Sequence, residues 1–435
     1  MVAASSEPLP PPPANPLLGT GDPSREPAAA PASPAFVRRL GWAWLPGNAA
    51  FPLMWSAVTG VLVALQVARI DPAGKVQNLG LITGAAAFMT LLVQPIAGRL
   101  SDNTRTRWGR RSPWVLTGSL LAAVAIAMMG YVHSIGLLLV VYLCVVVTVN
   151  SAQLPMSALL PDRVPAPRRG LFASLAAVGQ GLGGLVGQLL ASATHTHLAE
   201  SYWSLAGIVA VVMLGFVVLV REPADAEVPK EALNWRALLD SYWVDPRRNP
   251  DFGWVFVSRF LLLTGYFLTN SYQLYILQDY IGLGDRAVSY VPLTSTVTFA
   301  SVLLFGAIGG PLSDRLGRRR IFVQLSSYVF ALALLTPMLL PTLGGILLSN
   351  VIGGIGYGIF GSVDTALMSQ VLPTETGHGK DLGVINLSWT LPQSVSPFLA
   401  SGLITATGGY TALFPIGAAL AVAGGVAVMF VRKVR

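Results

Sequence analysis

Cysteine, histidine and charged side chains are all scarce in this sequence. The chain of 435 residues has one cysteine, Cys144, and four histidines, and only 11% of its residues carry a charge. A single cysteine forms no intrachain disulfide and no Cys-rich metal site, so the chain is not a disulfide-rich secreted protein. Because soluble domains have roughly 25% charged residues, the composition also disfavours a soluble enzyme or binding module of this length.

Long apolar stretches stand where charged residues are missing. Hydrophobic residues make up 53% of the chain, and the mean hydropathy is +0.62. A transmembrane helix needs about 20 apolar residues to cross the hydrocarbon core, and no stretch alternates as a barrel strand does. The sequence therefore predicts an all-α membrane protein with twelve transmembrane helices. The predicted spans lie near residues 48–68, 77–99, 113–132, 136–160, 170–193, 202–220, 252–278, 289–312, 320–340, 343–371, 381–406 and 410–431.

The remaining segments are polar or rich in proline. Residues 1–40 contain many Pro, Ala and Ser residues and lack the apolar region of a signal peptide, so we expect a disordered cytoplasmic tail. The predicted domains are this tail, an N-terminal six-helix bundle at 41–221, a cytoplasmic linker at 222–251 and a C-terminal six-helix bundle at 252–435.

The net charge of +8 is distributed in the manner of a membrane protein. Its bases lie in short clusters between apolar stretches, which argues against nucleic acid as a partner. Most of the 28 Lys and Arg residues fall on one side of the predicted spans, whereas Arg69, Lys75 and Arg286 fall on the other. The positive-inside rule then places both termini in the cytoplasm. We expect a multi-pass protein of the cell (plasma) membrane, working as a monomer in the lipid bilayer.

Two loops repeat a motif about half the chain apart. Residues 98–111 read GRLSDNTRTRWGRR, and residues 309–320 read GGPLSDRLGRRR. Each follows an even-numbered predicted span on the cytoplasmic side and contains an aspartate, Asp102 or Asp314. Internal repeats of this kind are common in secondary transporters.

The ends of spans 4 and 10 also resemble each other. Each places an acid, Asp162 or Glu375, at a cytoplasmic helix end, with a base a few residues later. We interpret these acids and the repeated loops as a charge network that closes the cytoplasmic side in one state, with Gly98 and Gly109 allowing close approach and tight turns. Alternatively, the arginines only set the topology. The candidate gate residues are Gly98, Asp102, Gly109, Arg110, Arg111, Asp162, Arg169, Asp314, Gly317, Arg318, Arg319 and Glu375.

The doubled G-x-L-S-D…G-R-R loop resembles the signature of the major facilitator superfamily, and the resemblance covers residues 41–435. The longer first copy, TRTRWGRRSP at 104–113, is similar to the glycoside–pentoside–hexuronide:cation symporters and the sucrose–proton symporters. The resemblance implies the major facilitator fold, with two pseudo-symmetric six-helix bundles that rock about a site near the midplane. It also implies that spans 1, 4, 7 and 10 line the cavity.

Two charged residues fall at membrane depth, Arg259 in span 7 and Asp364 in span 10. Charges at this depth are costly and usually pair or face water. Our hypothesis is that Arg259 and Asp364 form an ion pair and that Asp364 couples transport to protons. The alternatives are a purely structural pair and an arginine that extends to the cytoplasm.

Apart from Arg99, the last residue of span 2, spans 1–6 contain no acid and no base, so the cavity suits a neutral or amphipathic solute. Aromatic rings and amides suit stacking against, and hydrogen bonding to, a ring that carries hydroxyls; for each residue alone, bonding between helices is an equal alternative. The candidate cavity residues are Trp55, Thr59, Asn150, Gln153, Gln180, Tyr266, Asn270, Gln273, Tyr357, Asn386, Trp389 and Gln393.

These features predict a secondary active transporter for a small, sugar-like or glycoside-like solute, driven by protons. The chain lacks the G-x-S-x-G, H-E-x-x-H and Walker motifs, so we expect no enzymatic activity; we also expect no cofactor and no bound metal. Two alternatives stay open: a proton-driven exporter of a drug or secondary metabolite, and a membrane sensor that transports nothing.

Overall fold

The structure, a computed structural model, describes residues 34–222, 249–371 and 378–431. Within these ranges, the side chains of residues 365, 366, 368–371 and 378–386 do not belong to the description. The gate candidate Glu375, the side chain of the cavity candidate Asn386, most of the predicted tail and most of the predicted linker therefore lie outside the described residues.

The described residues form twelve long helices and no β-strand, as the all-α class predicts, and each predicted span overlaps one of these helices. Eleven of the helices are long and apolar enough to cross a membrane, and α11 is the twelfth. The helices are α1 Pro34–Ile70, α2 Lys75–Asn103, α3 Ser112–Met129, α4 Ile135–Arg163, α5 Ala166–Thr194, α6 Leu198–Leu219, α7 Pro250–Asn270, α8 Ala287–Leu316, α9 Arg319–Leu339, α10 Leu343–Val371, α11 His378–Thr407 and α12 Leu413–Ala427.

Helix α1 begins well before the predicted span at 48–68, so residues 34–40 of the predicted tail are helical. Its first turns are held by α5: the Trp44 indole donates a hydrogen bond to the Phe172 carbonyl at 2.8 Å, and the two rings meet edge to face. Leu40 is fully buried. The hydropathy pattern misses this segment because Arg38 and Arg39 interrupt the apolar run.

Two π-helical turns lie toward the C-terminal ends of the first helical segments of the two halves. In α1, residues Val58–Leu62 form such a turn. Helix α7 ends at Asn270, and after a short helix at Gln273–Tyr275 the chain forms a second π-helical turn, Ile276–Tyr280. The predicted span at 252–278 is therefore a broken helix. π-helical turns are rare and frequently occur at functional sites.

The internal repeat is visible in how the helices pack. In the first half, the packed pairs are α1–α5, α1–α6, α2–α4, α3–α4 and α3–α6. In the second half they are α7–α11, α7–α12, α8–α10, α9–α10 and α9–α12. Adding six to each number of the first set gives the second. The two halves meet through α2–α11 and α5–α8, which are related by the same operation.

Helices α1 and α5 pack through a glycine ladder on α5. A Cβ atom at Gly179, Gly183 or Gly187 would overlap the carbonyl oxygens of Leu45, Ala49 and Leu53, respectively. Glycine at every fourth position lets the two backbones approach closely, as is usual in membrane helix pairs. We call the side with the α1–α2 loop the outer side and the side with the α2–α3 loop the inner side; the charge distribution predicts that the inner side is cytoplasmic.

Candidate functional site

A central cavity of about 850 Å³ lies between the two halves. Helices α1, α4, α7 and α10, the first helices of the four three-helix repeats, all contribute to its lining. Ten of the twelve cavity candidates that the sequence analysis names line this cavity. They are Trp55, Thr59, Asn150, Gln153, Tyr266, Asn270, Gln273, Tyr357, Trp389 and Gln393.

The structure corrects the cavity candidate on α5. Gln180 is exposed and does not line the cavity, whereas Gln188, two turns further along the same helix, does. Because α5 is rich in small residues, its sequence gives no clear apolar face. The choice between the two glutamines depends on the rotation that the glycine ladder imposes on α5.

The lining residues that were not predicted include Gln94 on α2, Tyr142 on α4 and Asn350 on α10. The sequence holds a weak signal for each, a polar group within an apolar span. Such groups are equally common in contacts between helices, so the signal does not separate the two roles. Asn350 in fact serves both, since its amide donates to the Thr294 carbonyl at 3.1 Å.

The wall from the second half is aromatic. Tyr266 of α7 stacks on Tyr357 of α10, with ring centroids 5.0 Å apart and planes 27° apart, and it also contacts Phe330 of α9. Trp389 of α11 meets Tyr357 edge to face at 6.2 Å. This aromatic wall presents flat, rigid apolar surface to the cavity.

The wall from the first half is polar. The Thr59 and Tyr142 hydroxyls share a 2.6 Å hydrogen bond. The Gln94 amide donates to the Asn150 amide oxygen at 3.5 Å, and the Asn150 amide donates to the Val146 carbonyl at 2.8 Å. We call these amides and hydroxyls the polar wall, although the first half also contributes Trp55 and the second half the polar residues Asn270, Gln273, Asn350 and Gln393. None of the residues that line the described cavity is charged.

Arg259 and Asp364 lie beside the aromatic wall and are brought together as the sequence analysis expects. The Arg259 Nη1 atom is 3.3 Å from the Asp364 Oδ2 atom, and both side chains are buried, with 8% and 4% exposure. The guanidinium lies over the Trp389 ring, 5.6 Å from its centroid. Its Nε and Nη1 atoms have no hydrogen-bond partner among the described residues. The pair is thus incompletely satisfied, which is unusual for buried charges.

Contacts between the two halves close the outer side of the cavity. Lys75 of α2 forms an ion pair of 2.8 Å with Asp279 of the second π-helical turn, and its ammonium lies 4.9 Å from the centre of the Tyr275 ring. The Tyr410 hydroxyl, in the α11–α12 loop, donates to Asp279 at 2.6 Å. Burial and the adjacent Asp279 carboxylate raise the pKa of the Tyr410 phenol well above its usual value, so Tyr410 stays a donor.

Backbone carbonyls of the first half accept further hydrogen bonds at this side. The Tyr275 hydroxyl donates to the Ala64 carbonyl of α1 at 2.8 Å, and the Tyr272 hydroxyl donates to the Val76 carbonyl of α2 at 2.9 Å. The ion pair, the cation–π contact and these bonds form what we call the outer gate. The sequence analysis did not identify it, because Lys75 and Asp279 lie far apart in the chain.

The gate candidates of the first half form a compact network at the inner side. Arg111 pairs with Asp102 at 2.7 Å and with Asp162 at 2.9 Å, while Arg110 pairs with Asp162 at 2.6 Å. Arg169 bonds the carbonyls of Val164 and Pro161 and does not join these pairs.

Glu222, just after α6, completes this network and was not predicted. Its carboxylate accepts hydrogen bonds from the backbone N–H groups of Arg111 at 2.7 Å and Ser112 at 3.2 Å, at the N-terminus of α3. It also pairs with Arg163 at 3.5 Å. Gly109, with φ +88°, bends the chain around this carboxylate, and a Cβ atom there would lie about 2.5 Å from it.

The described gate residues of the second half are more open to solvent. Asp314 pairs with Arg319 at 2.7 Å, but the Asp314 side chain is 61% exposed, and Arg318 is exposed. Gly317 ends α8 with φ +61°, as a glycine at a helix C-terminus commonly does. The repeated motifs therefore adopt different surroundings in the two halves.

Gly98 corrects one expectation. The sequence analysis expects it to allow a close helix approach, but a Cβ atom at Gly98 would meet nothing within 4 Å. Close approaches in the first half occur at other glycines, among them those of the α5 ladder. In this conformation the inner end of α2 carries no neighbour against Gly98.

With the cavity, the buried pair and the two gates located, comparison with known proteins identifies the family. The sequence model of the family described as MFS/sugar transport protein matches residues 47–376. This chain belongs to that family. It is a family of transporters and not of enzymes, in agreement with the predicted absence of enzymatic activity.

Local sequence similarity extends to curated sugar transporters. The sucrose transport protein SUT1 of Oryza sativa subsp. japonica is 39% identical over 80 residues, which cover 17% of this chain and 14% of the rice protein. The lactose permease of Lactobacillus helveticus is 44% identical over 48 residues, 10% of this chain and 8% of the permease. The chain therefore matches less than a fifth of the length of these relatives.

Solved structures show the fold over almost the whole chain. The nucleoside transporter NupG superposes with a TM-score of 0.69 at 14% identity, covering 91% of this chain and 100% of that one. A bacterial homolog of the human lysosomal transporter Spinster, in an inward-facing and unoccupied conformation, gives a TM-score of 0.65 at 14% identity and covers 92% and 95%. The expected major facilitator fold is confirmed.

Proposed function

We propose that this transporter moves a neutral, sugar-like solute through the central cavity by alternating access, in symport with protons. The observation that carries the proposal is the cavity lining: an aromatic wall faces a polar wall, and no charged side chain lies between them. A sugar ring has apolar faces and a hydroxyl edge, so it matches both walls. The relatives that are named for sucrose and lactose transport support this substrate class.

The outer gate supports alternating access. It consists of one partly exposed ion pair, with side-chain exposures of 24% and 36%, and a few hydrogen bonds. Exposed or half-exposed ion pairs contribute about 0–1 kcal/mol each. Contacts of this strength can break and re-form as the two halves rock, which a site that opens alternately to each side requires.

The buried pair supports proton coupling. A carboxylate held by a single, long contact to an arginine that has unsatisfied donors is poised to accept a proton, because protonation lets the pair separate. Asp364 lies next to Trp389 through Arg259, and Trp389 lines the cavity. Protonation and occupancy of the cavity can therefore act on the same ring.

The test is uptake of radiolabelled sucrose and lactose into proteoliposomes that contain the purified full chain. With an inward proton gradient, we expect accumulation by the wild type. We expect none by Asp364→Asn, which should still exchange labelled for unlabelled sugar. Full gradient-driven accumulation by Asp364→Asn contradicts the coupling role. The control Asp285→Asn, at an exposed outer position, should accumulate sugar normally.

Removing one partner of a buried pair can cost about 3–5 kcal/mol of stability, so Asp364→Asn needs a second variant. The double variant Arg259→Gln with Asp364→Asn removes both charges, and we expect it to fold and to remain uncoupled.

A proton-driven exporter has the same kind of cavity. This alternative is indicated if the protein transports neither sugar and an inward proton gradient drives a drug-like solute out of the vesicles. Absence of transport of either class indicates a sensor.

A further inference from the structure

The second half contributes two amides to the cavity that are both attached to one residue of α8, Thr294. Gln273, in the short helix after α7, and Asn350 of α10 line the cavity. The Gln273 Nε2 atom donates to the Thr294 hydroxyl at 2.9 Å, and the Asn350 Nδ2 atom donates to the Thr294 carbonyl at 3.1 Å. Because both amides bond the same residue, they are neighbours in the cavity wall.

Thr294 determines which way each amide points. Its side chain is fully buried, and its hydroxyl donates its one proton to the Val291 carbonyl at 2.8 Å, so this hydroxyl can only accept from Gln273. A carbonyl oxygen also only accepts, so the Thr294 carbonyl fixes the Asn350 amide in the same way. In both amides, the nitrogen is bound to Thr294 and the oxygen is the free end.

The two amide oxygens are open to a solute. Neither side-chain oxygen accepts a hydrogen bond from a described residue, and neither belongs to the buried, unpaired atoms of the described part of the chain. Both oxygens therefore keep accessible surface. Two fixed acceptors next to each other match two donors on adjacent atoms, such as neighbouring hydroxyl groups on a ring.

The two amides lie between the aromatic wall and the outer gate. Asn350 precedes Tyr357 by two turns of α10, on the outer side of that ring. Gln273 lies between Tyr272 and Tyr275, whose hydroxyls bond carbonyls of the first half in the outer gate. A solute that bonds both amides is thus in contact with the segment that closes the outer side.

We propose that the Gln273 and Asn350 amide oxygens, oriented by Thr294, form a subsite that accepts hydrogen bonds from two neighbouring hydroxyl groups of the solute. The proposal rests on the proposed transport of a sugar-like solute and deepens it by naming the atoms that recognise two hydroxyl groups. Gln273 and Asn350 contact the solute, and Thr294 is a positioning residue.

The test is calorimetry with the purified full chain in detergent. The probes are sucrose, lactose and the cyclic polyol myo-inositol, followed by the monodeoxy analogues of the one that binds most tightly. For the wild type, we expect the loss of either of two neighbouring hydroxyl groups to weaken binding about tenfold. If no deoxy analogue binds more weakly, or if the hydroxyl groups that matter are not neighbours, the proposal is wrong.

Two variants assign each hydroxyl group to its amide. We expect Gln273→Met to bind the parent solute and one of the two deoxy analogues equally weakly, while it still distinguishes the other analogue. Asn350→Leu should show the converse. If both variants keep both preferences, the amides do not contact the solute and the proposal is wrong.

The positioning role of Thr294 has its own test. Thr294→Val keeps the shape of the side chain and the carbonyl that holds Asn350, but it removes the hydroxyl that holds Gln273. We expect this variant to lose only the preference that Gln273→Met loses; equal weakening of both preferences would contradict the role. The control is Thr296→Val on the same helix, whose hydroxyl bonds the Pro292 carbonyl at 2.7 Å, and it should bind every probe as the wild type does.

The three probes separate this proposal from the proposed function. If myo-inositol binds with the expected pattern and neither sugar binds, the sugar substrate is wrong and the subsite stands. If a sugar binds without the pattern, the subsite is wrong and the proposed function stands. If none of the three binds to the wild type, both are wrong.

Discussion

Glu222 contacts several segments at the inner side of the first half. One buried carboxylate accepts two backbone N–H groups at the start of α3 and pairs with Arg163. Carboxylates are favourable at helix N-termini because they satisfy free N–H groups and interact with the helix dipole. This single residue therefore ties the beginning of the linker to α3 and α4.

Replacing Glu222 with Gln should destabilise the protein. The amide oxygen can still accept a hydrogen bond, but the negative charge that pairs with the buried Arg163 is lost. We expect a decrease of about 1–3 kcal/mol in stability, measured by thermal unfolding in detergent. Glu200→Gln, at an exposed position in the first turn of α6, should leave stability unchanged; an equal loss in both variants would contradict the role given to Glu222.

Some residues at the cavity can be located from the sequence because of their charge or their size. Arg259 and Asp364 stand out because charges inside membrane spans are rare, and the aromatic candidates Tyr266, Tyr357 and Trp389 stand out because of their size. Glu222 looks like any polar residue after a span, so its burial and partners could not be predicted. Its position depends on how the chain leaves α6, which is a matter of tertiary packing.

Helix α1 is longer than its apolar span predicts. It runs from Pro34 to Ile70, and at 1.5 Å per residue it is about 55 Å long, well beyond the hydrocarbon core. The glycine ladder of α5 holds it closely enough for the Trp44 indole to reach the Phe172 carbonyl. Extension beyond the apolar span is therefore stabilised by the neighbouring helix.

This close packing makes the ladder sensitive to a single methyl group. At Gly183, a Cβ atom would overlap the Ala49 backbone, whereas at the adjacent Gly184 it would meet nothing within 4 Å. We expect Gly183→Ala to lower stability by about 1–3 kcal/mol through overpacking, and Gly184→Ala to keep or slightly raise it because alanine favours the helix. Thermal unfolding of both variants checks this. Equal behaviour would mean that α1 and α5 are not in close contact in the membrane.

Helix boundaries follow the sequence where the apolar pattern is continuous and depart from it where partners decide. The predicted span at 343–371 coincides with α10. The predicted span at 252–278 misses the end of α7 at Asn270 and the π-helical turn that follows. Residues 269–273 are polar, but a short polar run within an apolar span also occurs in a continuous helix that lines a cavity, so it does not predict a break. The break is stabilised by Tyr272 and Tyr275, which bond carbonyls of the other half.

At the scale of the whole molecule, the two halves are equal in architecture and unequal in chemistry. The packed helix pairs repeat with an offset of six, yet the polar wall belongs to the first half and the aromatic wall to the second. The buried ion pair also lies in the second half. A solute between the walls therefore contacts different chemistry on each side, and movement of one half against the other changes both sets of contacts at once.

The outer gate should control access to the cavity from outside. We expect the charge reversals Lys75→Asp and Asp279→Lys each to place like charges together and shift the equilibrium by about 1–2 kcal/mol, or roughly five- to thirty-fold, toward an outward-open state. The probe is a cysteine at the cavity residue Asn270, in a background without Cys144, and the measurement is its rate of modification by an impermeant thiol reagent added outside.

The double variant Lys75→Asp with Asp279→Lys provides the control, because it restores opposite charges at the same positions. We expect its modification rate to return close to that of the background protein. If the single reversals leave the rate unchanged, the ion pair does not hold the gate. If the double variant stays as reactive as the singles, the effect comes from the side chains and not from their charges.

The sequence by itself determined that this protein is a twelve-helix membrane transporter with a repeated half, because helix length, hydropathy and the doubled loop are local properties that survive without any contact being known. It also pointed to ten of the residues that line the cavity and to the two charges at depth. Tertiary structure alone decided that Gln188 and not Gln180 faces the cavity, that Lys75 meets Asp279 and that Glu222 caps α3. Each of these depends on helix rotation or on contact between segments distant in the chain, and an apolar helix surrounded by lipid and other helices carries no sequence period that fixes either.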